Sequence, residues 1–281
     1  MGSHRSRLVD AGGVNIWIEE WGDALGTPMF FCQRMGAQAF EWEPSMLAAL
    51  VDAGYRVIAH DYRGFGYSEP GLPDRYEFIH LVNDALGVID ALALGPAHIV
   101  GTSMGGVLAR WLVLTRPAIA RSLTMLSTSP GDMKLPIGSP EFQAVASNPP
   151  GPSVEAREDY IVRELAVLSD ARFDSSRALE RAREAVNRGW YLDQMRRLMR
   201  AANKRTDDER VWQNSTPIDV PMFIAHGTTD TVLPVVHGYA LAEMYPSAEL
   251  LIIEGMSHEL QPHYFEELWP RWSAFLRRAD G

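Results

Sequence analysis

The stretch His98-Ile99-Val100-Gly101-Thr102-Ser103-Met104-Gly105-Gly106-Val107-Leu108-Ala109 decides how this chain folds. It begins with a short β-branched apolar run, which predicts a buried strand, and ends in an apolar run that predicts a helix to about Leu114. The glycines around Ser103 fit the pattern G-x-S-x-G, in which a serine occupies a sharp turn between strand and helix. Side chains at the flanking positions would collide in so tight a turn. The alternative is an ordinary glycine-rich turn, but a strand before and a helix after favour an exposed, reactive serine.

The composition sets outer bounds on the class of protein. The 281 residues can form one large domain, or one domain with an insertion, and 46% of them are hydrophobic. The N-terminus lacks an apolar signal core and no segment is apolar enough to cross a bilayer, so we expect a cytoplasmic protein with no membrane partner. Cys32 is the sole cysteine, which excludes an internal disulfide. The net charge of −10 argues against a nucleic-acid partner. Met1 to His4 is compatible with a cloning remnant.

Short apolar runs and helical periodicities alternate along most of the chain. Apolar runs predict strands at residues 14–20, 28–32, 55–59, 123–126, 220–225 and 248–254. Helical spacing predicts helices at 44–53, around 81–92 and at 262–276, and we expect another helix to open at Val232-Leu233-Pro234. Strands that alternate with helices predict a mostly parallel central sheet flanked by helices, which is an α/β fold.

The alternation stops between about residues 130 and 215. Helical patterns replace the strands there: Ile161, Leu165 and Leu168 share one face, as do Tyr191, Met195 and Leu198. We therefore predict a helical cap, or lid, at 130–215, inserted into a core formed by 1–129 and 216–281. The charged residues of the insertion are expected on solvated faces; they are Arg157, Glu158, Asp159, Arg181, Arg183 and Glu184.

Two residues farther along the chain can activate Ser103. A serine hydroxyl is a poor nucleophile at neutral pH and needs a general base, which a carboxylate in turn orients. Asp230 and His258 each follow a predicted strand, so a parallel sheet brings both to the same edge as Ser103. The chain order Ser103, Asp230, His258 is that of α/β-hydrolase triads.

Other residues compete for these roles. Asp230 could be a turn residue or a helix N-cap, and the other available carboxylates include Asp132, Asp219 and Glu254. Asp219 precedes its strand and Glu254 ends one, so neither is well placed. Asp132 follows the strand at 123–126, but Ser127-Thr128-Ser129 fills the nearest loop positions, so Asp230 is favoured. Among the histidines, only His258 lies in a loop after a strand near the C-terminus. His60 and His226 end strands and could support the catalytic residues from behind, but packing is the favoured interpretation.

The sequence resembles the α/β-hydrolase superfamily over essentially its whole length. The matching segments are Gly101-Thr102-Ser103-Met104-Gly105-Gly106, Asp61-Tyr62-Arg63-Gly64-Phe65-Gly66-Tyr67-Ser68, His226-Gly227-Thr228-Thr229-Asp230 and Gly255-Met256-Ser257-His258. Within it, Ser122-Leu123-Thr124-Met125-Leu126 and Gly255-Met256-Ser257-His258-Glu259-Leu260 are similar to the aclacinomycin methylesterase group, which removes methyl esters from polyketides. The resemblance implies an α/β-hydrolase fold with a helical cap.

The chain departs from the superfamily pattern after its third strand. Capped hydrolases usually carry His-Gly there, followed by a residue whose backbone N–H binds the oxyanion; here Gln33-Arg34 takes that place. By position, Met35 and Met104 would supply the two oxyanion-hole donors. Arg34 is either a salt-bridged surface residue or a side chain that enters the cleft and binds an acidic or carbonyl-bearing substrate.

These observations predict a serine hydrolase that cleaves a carboxylic ester or lactone of a small hydrophobic molecule through an acyl-enzyme. The alternatives are cofactor-free perhydrolase or haloperoxidase-like chemistry, C–C bond hydrolysis on the same triad, and a non-catalytic ligand receptor. No metal or nucleotide motif is present, so we predict no cofactor and no metal. The partner is a small-molecule substrate; the sequence leaves its identity and the oligomeric state open.

Overall fold

A single mixed sheet forms the centre of the protein. The computed structural model describes residues 3–70, 76–131, 134–203 and 217–281. The strands of the sheet lie in the spatial order β1-β2-β4-β3-β5-β6-β7-β8. Their bounds are β1 His4–Asp10, β2 Asn15–Trp21, β3 Thr27–Cys32, β4 Tyr55–His60, β5 Ala97–Thr102, β6 Ala120–Leu126, β7 Met222–Gly227 and β8 Glu249–Ile253.

The first two strands pair antiparallel, and the others pair parallel. β1 pairs with β2 and β2 with β4 in antiparallel register, whereas β4 to β8 form a continuous parallel block. The carboxyl ends of the parallel strands therefore meet at one edge of the sheet, where ligands bind in such folds. The predicted α/β architecture, a mostly parallel sheet flanked by helices, is confirmed.

Helices cover both faces of the sheet. The described α-helices are α1 Pro44–Asp52, α2 Phe78–Ala91, α3 Met104–Thr115, α4 Pro140–Ala146, α5 Val154–Leu168, α6 Ser175–Gly189, α7 Leu192–Asn203, α8 Val236–Met244 and α9 Pro262–Asp280. One apolar core includes Leu81 of α2 and Leu108 of α3, and a second, on the other face, includes Met46 of α1 and Trp272 of α9. None of the described helices combines the length and apolarity needed to span a bilayer.

Helices α4 to α7 lie between β6 and β7, within the segment predicted as a cap. Ile161, Leu165 and Leu168 are buried along one face of α5, as their spacing predicts. The second predicted face is only partly correct, because Met195 and Leu198 are buried but Tyr191 precedes α7 and is 54% exposed. Asp132 lies outside the described residues, and so do 204–216 at the end of the predicted cap.

Two predicted element positions need correction. The helix expected to open at Val232-Leu233-Pro234 begins at Val236, because Asp230 Oδ1 accepts hydrogen bonds from the Val232 and Leu233 amides and holds that segment as a turn. Strand β1 was not predicted. It is an edge strand whose side chains are almost all exposed, so its sequence carries no apolar alternation.

Candidate active site

Ser103 occupies a strained turn between β5 and α3. Its backbone has φ 54° and ψ −125°, a conformation that residues other than glycine rarely adopt. The turn is held by a hydrogen bond from the Ser103 amide to Leu126 O, at 3.0 Å, and by one from Thr128 Oγ1 to Ser103 O, at 2.5 Å. A Cβ at Gly105 would overlap the Cys32 carbonyl, which explains the glycine. The geometry projects Ser103 from the carboxyl edge of the sheet.

Asp230 and His258 form a hydrogen-bonded pair at the same edge. Asp230 follows β7 and His258 follows β8, and His258 Nδ1 lies 2.8 Å from Asp230 Oδ2 and 2.9 Å from Oδ1. Burial raises the pKa of Asp230, but His258, His226 and their hydrogen bonds outweigh burial and lower this pKa below its ordinary range. A permanently ionised Asp230 fixes the His258 ring with Nδ1 protonated and Nε2 available as a base.

His226 also contacts the carboxylate, which is the supporting role that its position left open and not the packing role that was favoured. Its Nε2 lies 2.7 Å from Leu233 O and 3.4 Å from Asp230 Oδ2. Its position at the end of β7, four residues before Asp230, was the available indication. His60, the other histidine that ends a strand, instead stacks on Phe30 with ring centroids 5.0 Å apart.

Ser103 and His258 line the same cavity, which has a volume of about 300 Å³. The wall is predominantly apolar and comes from both the sheet edge and the inserted helices. The residues that line it are Arg34, Met35, Phe78, Ser103, Met104, Val107, Ser129, Gly131, Ile137, Phe142, Val145, Ala146, Tyr160, Glu164, Leu168, Met195, Met199, Val232, Leu233 and His258. A cavity of this size and character suits a small hydrophobic molecule.

Met35 and Met104, the predicted oxyanion-hole residues, both line this cavity beside Ser103. Met104 is the first residue of α3, so its amide has no acceptor within the helix. Among the described residues, neither the Met35 nor the Met104 amide donates a hydrogen bond to another group of the chain. The two amides are therefore free to bind a ligand oxygen.

Arg34 forms ion pairs, as the first of the two alternatives predicted for it states. It is buried, however, and does not lie at the surface. It is 7% exposed and lies 3.4 Å from Glu41, 3.4 Å from Glu164 and 3.5 Å from Glu259. It also lines the cavity, as the other alternative had it. Because three carboxylates surround its guanidinium, Arg34 has little free positive charge to offer an acidic substrate.

Arg181 completes a buried ion cluster, defined as Arg34, Arg181, Glu41, Glu164 and Glu259. Arg181 on α6 lies 2.6 Å from Glu41 and 2.5 Å from Glu259. The prediction that Arg181 lies on a solvated face is therefore wrong. Charged residues on amphipathic helices usually face solvent, and no local pattern marks a pair separated by 140 residues in the chain.

The cluster contains three carboxylates and two guanidiniums, and the pKa values of Glu259 and Glu164 are shifted in opposite directions. Burial raises the pKa of Glu259, but Arg181 and Arg34 outweigh burial and bring it down to about 2. Burial also raises the pKa of Glu164, as do Glu41 and Glu259, and Arg34 and Arg181 do not offset this, so the pKa of Glu164 lies above its ordinary value. Glu259, directly after His258, is thus held ionised and tied to both the sheet edge and α6.

No group of three or more metal-ligating side chains in ligating proximity occurs in 3–70, 76–131, 134–203 or 217–281. Asp219 and Glu254, the competing carboxylates that the structure describes, are exposed, whereas Asp230 is buried. The geometry thus brings Asp230 together with His258 and leaves these two competitors apart.

The comparisons with known proteins identify the superfamily. A family model described as the alpha/beta hydrolase fold matches residues 28–262. The chain is 30% identical to a non-heme chloroperoxidase from Kitasatospora aureofaciens, over 88% of this chain and 89% of that one. It is 26% identical to a rhodomycin D methylesterase from Streptomyces sp. strain C5, over 98% and 99% of the two chains. The chain belongs to the α/β-hydrolase superfamily, which confirms the resemblance in its sequence.

A solved structure has the same fold. The 2-hydroxy-6-oxo-6-phenylhexa-2,4-dienoate hydrolase from Rhodococcus sp. strain RHA1 superimposes with a TM-score of 0.78 over 99% of this chain and 100% of that chain. The sequences are 18% identical, so this similarity extends to the fold alone.

Proposed function

We propose that the protein is a serine hydrolase that cleaves a carboxylic ester or lactone of a small hydrophobic molecule. The observation that carries the proposal is the presence of Ser103, at its strained turn, in the same apolar cavity as the paired His258. In this mechanism Ser103 Oγ attacks the carbonyl carbon while His258 Nε2 takes its proton, and the Met35 and Met104 amides bind the oxyanion. His258 then protonates the departing alcohol, and water releases the acid from Ser103.

The inserted helices act in this proposal as a cap, at 130–215, over a core of 1–129 and 216–281. Tyr160, Glu164 and Leu168 of α5 and Met195 and Met199 of α7 line the cavity that also contains Ser103. Their side chains would select the acyl or alcohol group, because a substrate bound at Ser103 would contact them. The partner is a small molecule, and the mechanism requires neither cofactor nor metal.

A panel of p-nitrophenyl esters with different acyl chains tests the proposal. We expect saturable hydrolysis, a covalent adduct of one serine-directed phosphonate per chain, and loss of both in Ser103→Ala by at least about 10³-fold. Peptide mapping should place the adduct on Ser103. Ser129→Ala, which removes another serine hydroxyl from the same cavity, is the matched control and should retain labelling. Labelling that persists in Ser103→Ala would contradict the assignment.

Perhydrolase chemistry is a second candidate, favoured by the similarity to a non-heme chloroperoxidase. On the same residues, hydrogen peroxide would replace water as the nucleophile that attacks the acyl-enzyme, giving a peroxyacid. Halogenation of monochlorodimedone in the presence of acetate, peroxide and bromide would support it. A protein that hydrolyses esters but gives no Ser103-dependent halogenation is an esterase only.

A further inference from the structure

One ion pair interrupts the apolar wall of the cavity that contains Ser103. Arg34 and Glu164 both line this cavity, and Arg34 Nη1 lies 3.4 Å from Glu164 Oε2. Among the described residues that line it, Glu164 supplies the only carboxylate. A carboxylate in apolar surroundings is costly unless other groups bind it well. How well the protein itself binds Glu164 therefore bears on which ligand the cavity accepts.

The protein compensates the charge of Glu164 only in part. The buried ion cluster has three carboxylates for two guanidiniums, and Arg181 pairs with Glu41 and Glu259. Glu164 pairs with Arg34 alone, and Arg34 also pairs with Glu41 and Glu259. Burial and the other two carboxylates outweigh the guanidiniums and raise the pKa of Glu164. One further cation beside Glu164 would balance the charge of the cluster.

Two polar groups on one face of α5 lack hydrogen-bond partners. Glu164 Oε2 accepts one hydrogen bond, from Arg34 Nη1, and Glu164 Oε1 accepts none from a residue that the structure describes. The Tyr160 hydroxyl, one helical turn earlier, likewise makes no hydrogen bond within the described part of the chain. Tyr160 and Glu164 are 7% and 8% exposed, and both line the cavity. Because residues four apart share a helix face, both groups can bind the same ligand group.

The chemistry of these two groups defines the ligand group. A carboxylate only accepts hydrogen bonds and a phenol oxygen can accept one, so the complementary group is a donor. The excess negative charge favours a donor with a positive charge, and an ammonium group combines this charge with several N–H bonds. The Tyr160 ring also offers an aromatic face, which attracts cations. A carboxylate ligand would instead be repelled by Glu164.

We propose that Glu164 and Tyr160 form a subsite for an ammonium group of the substrate, which is then an amine-bearing ester or lactone with a hydrocarbon body. This inference rests on the proposed hydrolase function and narrows its substrate class. The ester group lies at Ser103, the hydrocarbon body contacts the apolar wall, and the ammonium group adds the third cation to the buried ion cluster. Glu164 is thus a specificity-determining residue.

Three ligands with alkyl chains of similar length test the subsite without requiring catalysis. Hexylammonium, 1-hexanol and hexanoate differ in their polar end group, which is positive, neutral and negative. By isothermal titration calorimetry near neutral pH, we expect hexylammonium to bind at least about tenfold more tightly than 1-hexanol, and hexanoate to bind least tightly. Hexylammonium should also slow labelling of Ser103 by the serine-directed phosphonate, which places it in this cavity.

Glu164→Gln removes the charge of the subsite and keeps the size of the side chain. We expect this variant to lose the preference for hexylammonium, with binding of 1-hexanol changed by less than about twofold. Glu158→Gln is the matched control and should keep the preference. It makes the same change on the same helix, but Glu158 pairs with Arg183 and is not among the residues that line the cavity.

Ester kinetics extend the test to the substrate. Wild-type protein should hydrolyse p-nitrophenyl 6-ammoniohexanoate with a kcat/KM at least about tenfold above that for p-nitrophenyl heptanoate, in which a methyl group replaces the ammonium group. In Glu164→Gln the two values should be nearly equal. A preference confined to binding, with equal kcat/KM for the two esters in wild type, would contradict the assignment of the ammonium group to the substrate.

Other outcomes would overturn the subsite itself. Wild-type protein that binds 1-hexanol as tightly as hexylammonium has no ammonium subsite, and a preference that survives in Glu164→Gln places the subsite elsewhere. If Glu164→Gln fails to fold, Tyr160→Phe takes its place: it should weaken hexylammonium binding about threefold, and unchanged binding would contradict the proposal. Failure of the hydrolase function is distinct, because a protein that forms no acyl-enzyme can still show the Glu164-dependent preference by calorimetry.

Discussion

At the scale of single residues, replacing either of two glutamates of the buried ion cluster by glutamine is expected to affect folding stability to different degrees. Glu259 is bound by both guanidiniums, whereas Glu164 contacts only Arg34 and leaves the cluster with one more carboxylate than cations. We expect Glu259→Gln to destabilise the fold by about 3 kcal/mol, because it removes a carboxylate that pairs with both Arg181 and Arg34. Glu164→Gln should cost almost nothing at neutral pH, because it removes the excess carboxylate and breaks one contact of Arg34, which keeps Glu41 and Glu259. Urea denaturation of both variants measures the difference, and equal losses would contradict this difference in contacts.

The candidate site shows what sequence can and cannot reveal about individual residues. Asp230 and His258 were predicted as a pair because each follows a strand of a parallel sheet, and the structure places their side chains 2.8 Å apart. The ion cluster was not predicted, because Arg34 and Glu164 are separated by 130 residues and only the tertiary fold brings them together. Burial of Arg34 likewise follows from packing of the inserted helices, which a single sequence does not position.

At the scale of elements, the end of the C-terminal helix α9 is held by a Ser–His–Asp hydrogen-bond network, in which the histidine and serine are buried and the Asp280 side chain is 30% exposed. His98 Nδ1 lies 2.7 Å from Ser122 Oγ, and His98 Nε2 lies 3.0 Å from Asp280 Oδ1. The three residues meet at the amino end of β5 and β6, away from Ser103, and His98 and Ser122 have no exposed surface. A carboxylate at the end of a helix opposes the helix dipole, so Asp280 is explained by these tertiary contacts and not by helix propensity.

We therefore expect Asp280→Ala to lower stability by about 1–3 kcal/mol, because it leaves His98 and Tyr55 without the carboxylate that accepts their hydrogen bonds. Ester hydrolysis per folded molecule should be unchanged. Asp90→Ala removes a carboxylate from an exposed pair with Arg116 and serves as the control, with a loss below about 1 kcal/mol. Thermal denaturation and kcat/KM measured on the same samples check both statements. A large drop in kcat/KM of folded Asp280→Ala would show that the two networks are coupled.

Whether a segment forms a helix or a strand was predictable wherever burial of its side chains produced a hydrophobic pattern in the sequence. The strands β3, β4 and β5 are almost wholly buried, and their apolar runs predicted them within two residues. Strand β1 escaped prediction because its sequence HRSRLVD is exposed and pairs with β2 through its backbone and through polar contacts such as those of His4 with Glu19 and Arg5 with Glu20. Backbone pairing produces no pattern in side-chain hydropathy, so an exposed edge strand of this kind can be identified only from the tertiary structure.

At the scale of the whole molecule, acid stability should depend on a buried histidine. His60 ends β4 and is 1% exposed, and neither ring nitrogen makes a hydrogen bond of good geometry to a described residue, although an interaction with the Phe31 backbone partly opposes the effect of burial on its pKa. Burial lowers the pKa of His60 from 6.5 to about 4. Between these values the unfolded chain binds a proton that the folded chain excludes, so the contribution of His60 to folding stability falls as the pH decreases through this window.

A variant without the titrating ring isolates this contribution. We expect wild-type protein to lose about 2–3 kcal/mol more stability than His60→Phe between about pH 7 and about pH 4.5, because phenylalanine keeps the stacking on Phe30 but has no proton to exclude. Urea denaturation at both pH values gives the two differences, and subtracting them cancels any change in packing that is independent of pH. His263→Phe is the control, since His263 lies partly exposed beside Asp170 on the surface. Parallel stability curves for wild type and His60→Phe would show that His60 accepts its proton in the folded protein as readily as in the unfolded chain, and acid sensitivity would then have to arise elsewhere in the molecule.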